Sequence, residues 1–259
     1  MELYFSFSGL FIAITSTILG LFVFFKNKNS RTNQTFALFC LSVAAWSYPY
    51  TFWPIAKDRE STLFWFQLLH IGATFTSITY LHFVASWLDI IKKQKIIIII
   101  GYLLAAFFTS FVFSSYFISD MVPKFSMRFW AEPGILYHFY LFYFFGYAIY
   151  SSYLLVKYYN KVTGVKRLQM KYIFIGMVLA FSGGSTNYPL WYNINFPPYG
   201  NIFASAYVIM TAYAILKYRL MDIRVAIKRS TIFSGVIIII TAVYVMAAFL
   251  LGSVFFSGV

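Results

Sequence analysis

The stretch KKQKIIIIIGYLLAAFFTSFVFSSYF, residues 92–117, decides the fold class, because a cluster of lysines is followed at once by a long apolar run. The run from Ile96 to Phe117 contains no charged side chain. A hydrocarbon core about 30 Å thick needs roughly 20 apolar residues per helix, and only helices or closed barrels satisfy their backbone in lipid. The run is too long for a barrel strand, so it predicts a transmembrane helix that begins at a basic membrane surface.

The same pattern recurs along the whole chain of 259 residues, of which 61% are hydrophobic and 10% are charged. A soluble domain has roughly 25% charged residues, so the composition indicates an integral membrane protein. We predict an all-α membrane protein, a polytopic bundle of seven transmembrane helices followed by an eighth C-terminal helix. The eight predicted helices run from Leu3 to Phe25, Thr35 to Ile55, Thr62 to Trp87, Ile96 to Phe117, Ile135 to Tyr158, Leu168 to Thr186, Asn201 to Leu216 and Thr231 to Phe256.

The basic residues predict the orientation of this bundle. Sixteen of the twenty lysines and arginines fall in every second gap between the apolar segments. Cations in short loops stay on the cytoplasmic side, so we expect those gaps to be cytoplasmic and the N-terminus to lie outside. The other four are Lys57, Arg59, Lys124 and Arg128. A net charge of +13 that is spread over short loops indicates the lipid bilayer as the partner and does not indicate nucleic acid.

Polar residues recur at helical spacing in the third and fifth segments. In the third segment they occupy an arc of about 80° at 100° per residue. In the fifth segment they are tyrosines, whose hydroxyls need partners when they are buried. Two interpretations remain open: hydrogen bonds between packed helices, or the wall of a ligand cavity. The two stripes consist of Gln67, His70, Thr74 and Ser77 and of Tyr140, Tyr143, Tyr147 and Tyr150.

Two connections are long, Ile118 to Gly134 and Asn187 to Gly200, and neither has the length of a separate sensor domain. The second, NYPLWYNINFPPYG, is uncharged and contains three prolines. That composition is typical of a stiff lid at the membrane interface, and an aromatic belt with a simple turn also explains it. The residues that we predict to bind a ligand are Gln67, His70, Thr74, Tyr140, Tyr143, Tyr147, Trp191 and Tyr192.

Residues for catalysis or coupled transport are missing from the apolar segments. All seven carboxylates lie at or beyond the predicted helix ends, whereas proton pumps and coupled transporters place carboxylates at the bundle centre. The sequence has no HExxH, GxSxG or GxxxxGKS/T motif. We therefore predict no catalytic residue, no metal site and no cofactor. A haem or metal bound by His70 and His138 is an alternative, although they lie about 12 Å and about 5 Å below their helix starts, a poor match in depth.

The basic segment from Lys217 to Ser230 is the predicted cytoplasmic exit of the bundle. Each of its cations gains about 1 kcal/mol from anionic lipid, and helix shifts of about 1–2 Å at this point would reach a following domain. A plain stop-transfer anchor explains the segment as well. The residues that we predict to couple the signal at this exit are Arg167, Gln169, Tyr218, Arg219, Asp222 and Arg224.

Four pieces of the chain resemble one known family. They are AYAILKYRLMDIRVAIKRS at Ala212 to Ser230, GVKRLQMKY at Gly164 to Tyr172, NQTFALFCLSVAAWSYPY at Asn33 to Tyr50, and YLHF at Tyr80 to Phe83. Together they are similar to the seven-helix N-terminal sensor region of bacterial membrane histidine kinases, over about residues 1–230. The most specific piece is Lys217 to Ile223.

The resemblance implies a receptor module of a two-component system in the bacterial inner membrane. Such a module passes a signal, carried by a small molecule or a lipid, to a downstream cytoplasmic histidine kinase that is usually a homodimer. The chain has no H-box histidine and no ATP-binding boxes, so we predict a sensor region and not an enzyme. The alternative function is a transporter or channel for an uncharged or lipid-like solute. The eighth helix, within residues 231–259, would return the chain to the outside, so we expect a further downstream region.

Overall fold

The computed structural model of the protein describes residues 2–125 and 127–222. The predicted eighth helix and the predicted coupling residue Arg224 lie outside the described residues, as does the side chain of Asp222. The described chain forms seven α-helices, four short 3-10 helices and one β-hairpin. The elements are α1 (Glu2–Lys26), α2 (Arg31–Tyr50), α3 (Arg59–Trp87), α4 (Ile91–Phe111), β1 (Ile118–Lys124), β2 (Met127–Pro133), α5 (Ile135–Tyr159), α6 (Gly164–Ser185) and α7 (Ala206–Tyr218), with 3-10 helices at Trp53–Ile55, Pro189–Tyr192, Tyr199–Ser205 and Leu220–Asp222.

The seven helices lie where the apolar segments predict them, but capping residues make α2 and α3 begin earlier than predicted. α2 begins four residues earlier than predicted, because Ser30 caps it and accepts a hydrogen bond from the Asn33 amide at 3.4 Å. α3 begins three residues earlier, because the Asp58 carboxylate accepts the Ser61 amide at 2.7 Å. The hydrogen bonds from the Ser61 amide and hydroxyl favour the ionised carboxylate and hold the pKa of Asp58 below its usual range. The last predicted turn of α2 is a separate 3-10 helix, since Pro54 cannot donate to a helical ladder.

The predicted fourth, sixth and seventh helices need larger corrections. α4 begins at Ile91, so the lysines lie inside its first turns, where their long side chains reach the aqueous surface. It ends at Phe111 and not at Phe117, because the chain turns there toward the hairpin. α6 begins four residues before the predicted Leu168. α7 has only 13 residues, since the chain from Tyr199 to Ser205 is a 3-10 helix that leads into it.

The first long connection, predicted as a loop, contains the antiparallel hairpin of β1 and β2. Met121 pairs with Ala131, Val122 pairs with Trp130, and the pairing is interrupted by register shifts. Met121, Trp130 and Ala131 are buried, so the hairpin folds inward onto the helices. The expectation that the chain forms only helices applies to backbone that is exposed to lipid. The shifts in register also remove the regular alternation of buried and exposed residues that indicates a strand in sequence.

Six helices form a closed ring in the order α1, α2, α3, α5, α6, α7, and α4 packs outside the ring against α3 and α5. The 3-10 helix Tyr199–Ser205 completes the ring, because it contacts both α1 and α6. Short connections make successive helices alternate in direction, which gives the bundle two ends. The hairpin end carries the hairpin and residues 187–200. The basic end carries the cations that follow α1, α3, α5 and α7.

Small residues set the closest helix contacts in the ring. A Cβ atom at Gly72 of α3 would lie 2.2 Å from the backbone nitrogen of Trp46 in α2. On α6, the small residues Gly176, Ala180 and Gly184 recur every four positions, which predicts close approach of a neighbour. Gly176 meets α7 as predicted, since its Cβ would lie 2.8 Å from that of Met210. Gly184 differs, because no described atom lies within 4 Å of its Cβ position, and α6 therefore borders an interior space at that end.

Four of the described helices, α1, α3, α4 and α5, are long and apolar enough to cross a membrane. Their outer faces carry large apolar side chains, such as Ile96, which is 73% exposed, and Phe142, which is 80% exposed. The described carboxylates lie at helix ends or in the hairpin, so the middle of each apolar helix contains no carboxylate. This distribution is typical of a helical membrane protein.

We expect Gly72→Ala to lower the midpoint of thermal unfolding in detergent, because its methyl group forces α2 and α3 apart, and overpacking of this kind costs about 1–3 kcal/mol. The matched control is Gly146→Ala in α5, where no described atom lies within 4 Å of the added Cβ, so the midpoint should hold or rise. An unchanged midpoint in Gly72→Ala would contradict the close contact of α2 and α3.

Candidate functional site

An interior cavity of about 90 Å³ lies within the ring at the hairpin end. Its wall comes from α2, α3, α5 and α6, from the start of α7, and from the two long connections. Of the eight residues predicted to bind a ligand, three line it: His70, Tyr140 and Trp191. The lining residues are Phe39, Val43, Trp46, Tyr50, Phe66, Leu69, His70, Ala73, Thr76, Trp130, Tyr137, Tyr140, Phe144, Ala180, Phe181, Gly184, Asn187, Tyr188, Trp191, Ala204 and Tyr207.

Six of these residues form a continuous cluster of rings, which we call the aromatic cage. The Tyr137 and Trp191 rings stack with centroids 3.9 Å apart and planes inclined by 14°. The His70 ring meets Trp191 edge to face at 5.4 Å. Such offset-stacked and edge-to-face arrangements are the favourable geometries for aromatic pairs. The cage consists of Phe66, His70, Trp130, Tyr137, Tyr140 and Trp191.

His70 has a defined hydrogen-bonding role in the cage. Its Nδ1 lies 2.6 Å from the carbonyl oxygen of Phe66, one turn earlier on α3. A carbonyl accepts only, so Nδ1 carries the proton, and the neutral imidazole keeps a lone pair on Nε2. No hydrogen bond to Nε2 forms within the part of the chain that the structure describes. His70 therefore presents a free acceptor among the rings of the cage.

Three further polar atoms of the cage are buried without a hydrogen-bond partner among the described residues. They are the indole nitrogen of Trp130 and the hydroxyls of Tyr137 and Tyr140, on side chains at most 1% exposed. The Tyr140 hydroxyl lies beside the hydroxyl of Tyr188, which also lines the cavity. A buried unpaired polar group costs about 1–3 kcal/mol, so native proteins pair nearly all of them. A cluster of three at one cavity is the arrangement expected of a binding site.

A buried lysine joins the two connections that cover the cavity. Lys124 on β1 donates from Nζ to the carbonyl oxygens of Ala131 and Trp191, at 3.3 and 3.2 Å. The same ammonium pairs with the Glu132 carboxylate at 2.7 Å, and the lysine side chain is 4% exposed. The hairpin and the 3-10 helix Pro189–Tyr192 are thus fastened to each other, and each contributes one tryptophan to the cage. We call these two elements the lid.

A chain of buried amides runs from the cavity wall to α1. The Tyr50 hydroxyl donates to Asn187 Oδ1 at 2.8 Å, and Asn187 Nδ2 donates to Asn201 Oδ1 at 2.9 Å. Asn201 Nδ2 then donates to the Ser8 hydroxyl at 3.0 Å. Because Tyr50 and Asn187 line the cavity, this polar chain connects the cavity to α1 and to the segment that leads into α7.

The other predicted ligand residues serve different contacts. The Tyr143 hydroxyl donates to the carbonyl oxygens of Thr74 and Gly101, and the Tyr147 hydroxyl donates to that of Ile97. These bonds join α5 to α3 and α4, which is the interhelical interpretation of the tyrosine stripe. Gln67 is half-buried on α3 but does not line the cavity.

The two histidines of the haem alternative, His70 and His138, contact different partners. Tyr192 and His138 pair on the outer side of the lid, where the hydroxyl lies 2.8 Å from Nδ1. His70 faces the cage, and no group of three or more metal-ligating side chains exists among residues 2–125 and 127–222.

Of the predicted coupling residues that the structure describes, Gln169, Tyr218 and Arg219 lie together at the basic end, and Arg167 makes a different contact. Gln169 Nε2 on α6 donates to the carbonyl oxygen of Tyr218 at the end of α7, at 2.8 Å. Arg219 follows in the left-handed conformation and closes α7 through its amide. The guanidinium of Arg167 instead lies 4.6 Å from the ring of Tyr159 on α5, a cation–π contact. Gln169 thus joins α6 to the exit of the bundle, and Arg167 joins α6 to α5.

Sequence reasoning missed several residues of the site. Tyr137 lies one helical turn before Tyr140, so extending the tyrosine stripe by one position would have found it. No sequence pattern indicated Trp130 as a site residue, because its segment was predicted as a plain loop. Asn187 and Asn201 were placed only at the edges of a connection, and their pairing depends on the close approach of Gly183 to Gly200.

Comparison with known proteins identifies one match. The family model described as the N-terminal 7TM region of histidine kinase matches residues 9–224, from the first half of α1 to beyond α7. No curated protein and no solved structure matches the chain. The resemblance seen in the four short pieces of sequence is therefore confirmed over more than half of the chain.

We expect Lys124→Met to lower the midpoint of thermal unfolding, because it leaves the Glu132 carboxylate and two carbonyls without their donor, a loss of about 1–3 kcal/mol. Methionine keeps the apolar stem, so packing changes little. The matched control is Arg59→Met, which removes the pair with Asp120 beside the same hairpin. Both members of that pair are about half exposed, and exposed pairs contribute little to stability. Equal midpoints for the two variants would show that Lys124 does not fasten the lid.

Proposed function

The chain belongs to the family of N-terminal seven-transmembrane regions of histidine kinases, and on this premise we propose that it senses a small molecule in its central cavity. Membership makes it a membrane sensor region of a histidine kinase. The proposal adds the place where the stimulus acts and the route by which it reaches the output.

The observation that carries the proposal is the cluster of unpaired polar atoms in the aromatic cage. The Ser, Thr and Tyr hydroxyls elsewhere on the helices mostly bond to backbone carbonyls, as the Tyr143 and Tyr147 hydroxyls do. The polar atoms of Trp130, Tyr137 and Tyr140 do not, although all three line one cavity. A bound molecule that pairs with them would supply the hydrogen bonds that these atoms lack in the protein alone.

Relay through the ring supports the same proposal. The cavity touches α2, α3, α5, α6 and the start of α7, so a bound molecule contacts most of the ring. The chain from Tyr50 to Ser8 reaches α1, and Gln169 holds α6 to the end of α7. Helix shifts of about 1–2 Å are sufficient for signalling when packed elements have two arrangements. We infer that occupancy shifts α6 and α7 relative to α1, and that Tyr218 and Arg219 pass this shift to a downstream kinase.

The orientation and the assembly belong to the proposal as well. The excess of cations at the basic end favours the cytoplasm for that end, with the N-terminus, the lid and the cavity outside. We propose a bacterial inner-membrane receptor that works as a homodimer, as the family resemblance implies.

A packed layer of aromatic side chains on the basic side of the cavity favours a sensor over a transporter. Below the cavity, Tyr80 lies 5.7 Å from Phe39 and 5.3 Å from Phe181, measured between ring centroids. Phe36 and Phe83 continue the layer toward the basic end with centroids 5.0 Å apart. Tyr80, Phe36 and Phe83 are fully buried. A solute that entered from the hairpin end would have to displace this packed layer in order to cross.

Filling the cavity tests its sensory role. Gly184→Val places a side chain in the cavity without a clash, so we expect a higher thermal midpoint, by about 2–4 °C for a gain of about 1 kcal/mol. In the receptor that carries the kinase, we expect autophosphorylation to settle about five-fold away from the wild-type basal level, a typical coupling between sites. The matched control is Gly146→Val, which adds the same side chain to open space on the outer face of α5. Wild-type output in Gly184→Val would exclude the cavity as the sensory site.

A second variant tests whether Gln169 couples the signal at the exit of the bundle. Gln169→Leu removes the bond to Tyr218, so we expect altered basal autophosphorylation with an unchanged effect of Gly184→Val on the thermal midpoint, because the cavity is remote from the exit. The matched control is Gln94→Leu, which loses its bond with the Tyr150 hydroxyl at the same end of the bundle. Gln94 lies on α4, outside the ring, and its loss should leave output unchanged. Equal output from the two variants would contradict coupling through Gln169.

A further inference from the structure

The unpaired groups of the aromatic cage define the chemistry of a guest. The indole of Trp130 can only donate, and the hydroxyls of Tyr137 and Tyr140 are available as donors. His70 Nε2 is the complementary acceptor. We propose that the cavity binds a small uncharged hydroxy-carbonyl compound, whose carbonyl oxygen accepts from the Tyr137 hydroxyl, beside the donors of Trp130 and Tyr140, and whose hydroxyl donates to His70. This inference rests on the sensory role proposed for the cavity.

The absence of charge in the wall selects an uncharged guest. No lysine, arginine, aspartate or glutamate is among the described residues that line the cavity. The nearby ammonium of Lys124 is already engaged by Glu132 and by the carbonyls of Ala131 and Trp191. An ion moved into such a wall would lose its hydration without gaining a counter-charge, which is strongly unfavourable.

The volume limits the size of the guest. One water-sized group needs roughly 10–15 Å³ of such space, so a cavity of about 90 Å³ accepts on the order of six to nine non-hydrogen atoms. Much of the rest of the wall is apolar and includes Val43, Leu69, Ala73 and Phe144. A short aliphatic chain that carries one carbonyl and one hydroxyl fits both limits.

The polar groups come from three different elements. Trp130 belongs to the lid, Tyr137 and Tyr140 belong to α5, and His70 belongs to α3. A compound with two oxygens on adjacent carbons can pair with two of these elements at once, whereas a compound with one oxygen can pair with only one group type. The hydroxy-carbonyl pattern is therefore the one that joins His70 of α3 to a donor of the lid or of α5.

The test uses the full chain in lipid nanodiscs and follows tryptophan fluorescence, since Trp46, Trp130 and Trp191 line the cavity. The probe is 3-hydroxybutan-2-one, compared with butan-2-one, which lacks the hydroxyl, with 2-methylbutane, which lacks both oxygens, and with butanoate, which is charged. One lost hydrogen bond of about 1.4 kcal/mol is a ten-fold change in affinity. We expect butan-2-one to bind about ten-fold more weakly than the hydroxyketone, and butanoate not to bind.

Variants identify the groups that bind the probe. Tyr137→Phe removes a hydroxyl that has no partner in the folded protein, so the variant should remain folded and bind the probe about ten-fold more weakly. The matched control is Tyr192→Phe, which removes a hydroxyl that bonds to His138 outside the cavity, and it should bind as the wild type does. Equal affinity in Tyr137→Phe and wild type, tighter binding of butanoate or 2-methylbutane, or no response to any of the four compounds would each overturn the inference.

The two proposals fail separately. If the hydroxyketone does not bind but Gly184→Val still changes autophosphorylation, the ligand class is wrong and the sensory cavity stands. If the hydroxyketone binds with the expected selectivity while Gly184→Val leaves output unchanged, the ligand class stands and the sensory role is wrong.

Discussion

In a hydrocarbon layer every polar group of a helix must find its partner inside the protein, and the rest of this structure depends on that constraint. The threonines of α1 meet it locally, since the hydroxyls of Thr15 and Thr17 bond to carbonyls one turn earlier. The tyrosines of α5 meet it across helices, through carbonyls of α3 and α4. Ten buried polar side-chain atoms of the described residues have no partner, and three of them, on Trp130, Tyr137 and Tyr140, lie together at the cavity.

The two ends of the bundle solve the same constraint with different chemistry. At the hairpin end the partners within the helix ring are neutral amides and hydroxyls, which form the buried chain from Tyr50 to Ser8, and the buried Lys124–Glu132 pair is confined to the lid. At the basic end the cations lie over aromatic rings, as Lys217 does over Tyr213 and Tyr218. A neutral interior at one end suits an uncharged guest, while a charged rim at the other suits lipid headgroups and a polar continuation of the chain.

The site also explains why the ring, and not a separate domain, would carry recognition. The cavity lies where α2, α3, α5 and α6 meet the lid, so a guest replaces contacts that several helices would otherwise make with one another. Packed helices respond to such a change by small discrete shifts, since a close-packed interior does not deform continuously. α4 lies outside the ring, where it packs against α3 and bonds to the tyrosines of α5, and the proposed relay does not include it.

The sequence by itself determined the fold class, the seven described helices and the division of charge between loops, because apolar length and local cation content need no knowledge of neighbours. Only the tertiary structure decided which polar residues line the cavity. Tyr140 and Tyr143 lie three residues apart on one stripe, yet Tyr140 faces the cavity and Tyr143 bonds to α3 and α4. A helical period states that residues share a face, but the rotation of each helix against its neighbours decides what that face meets. Trp130 depends on the tertiary structure in the same way. The β1–β2 hairpin brings Trp130 to the cavity only because it folds back over the helices.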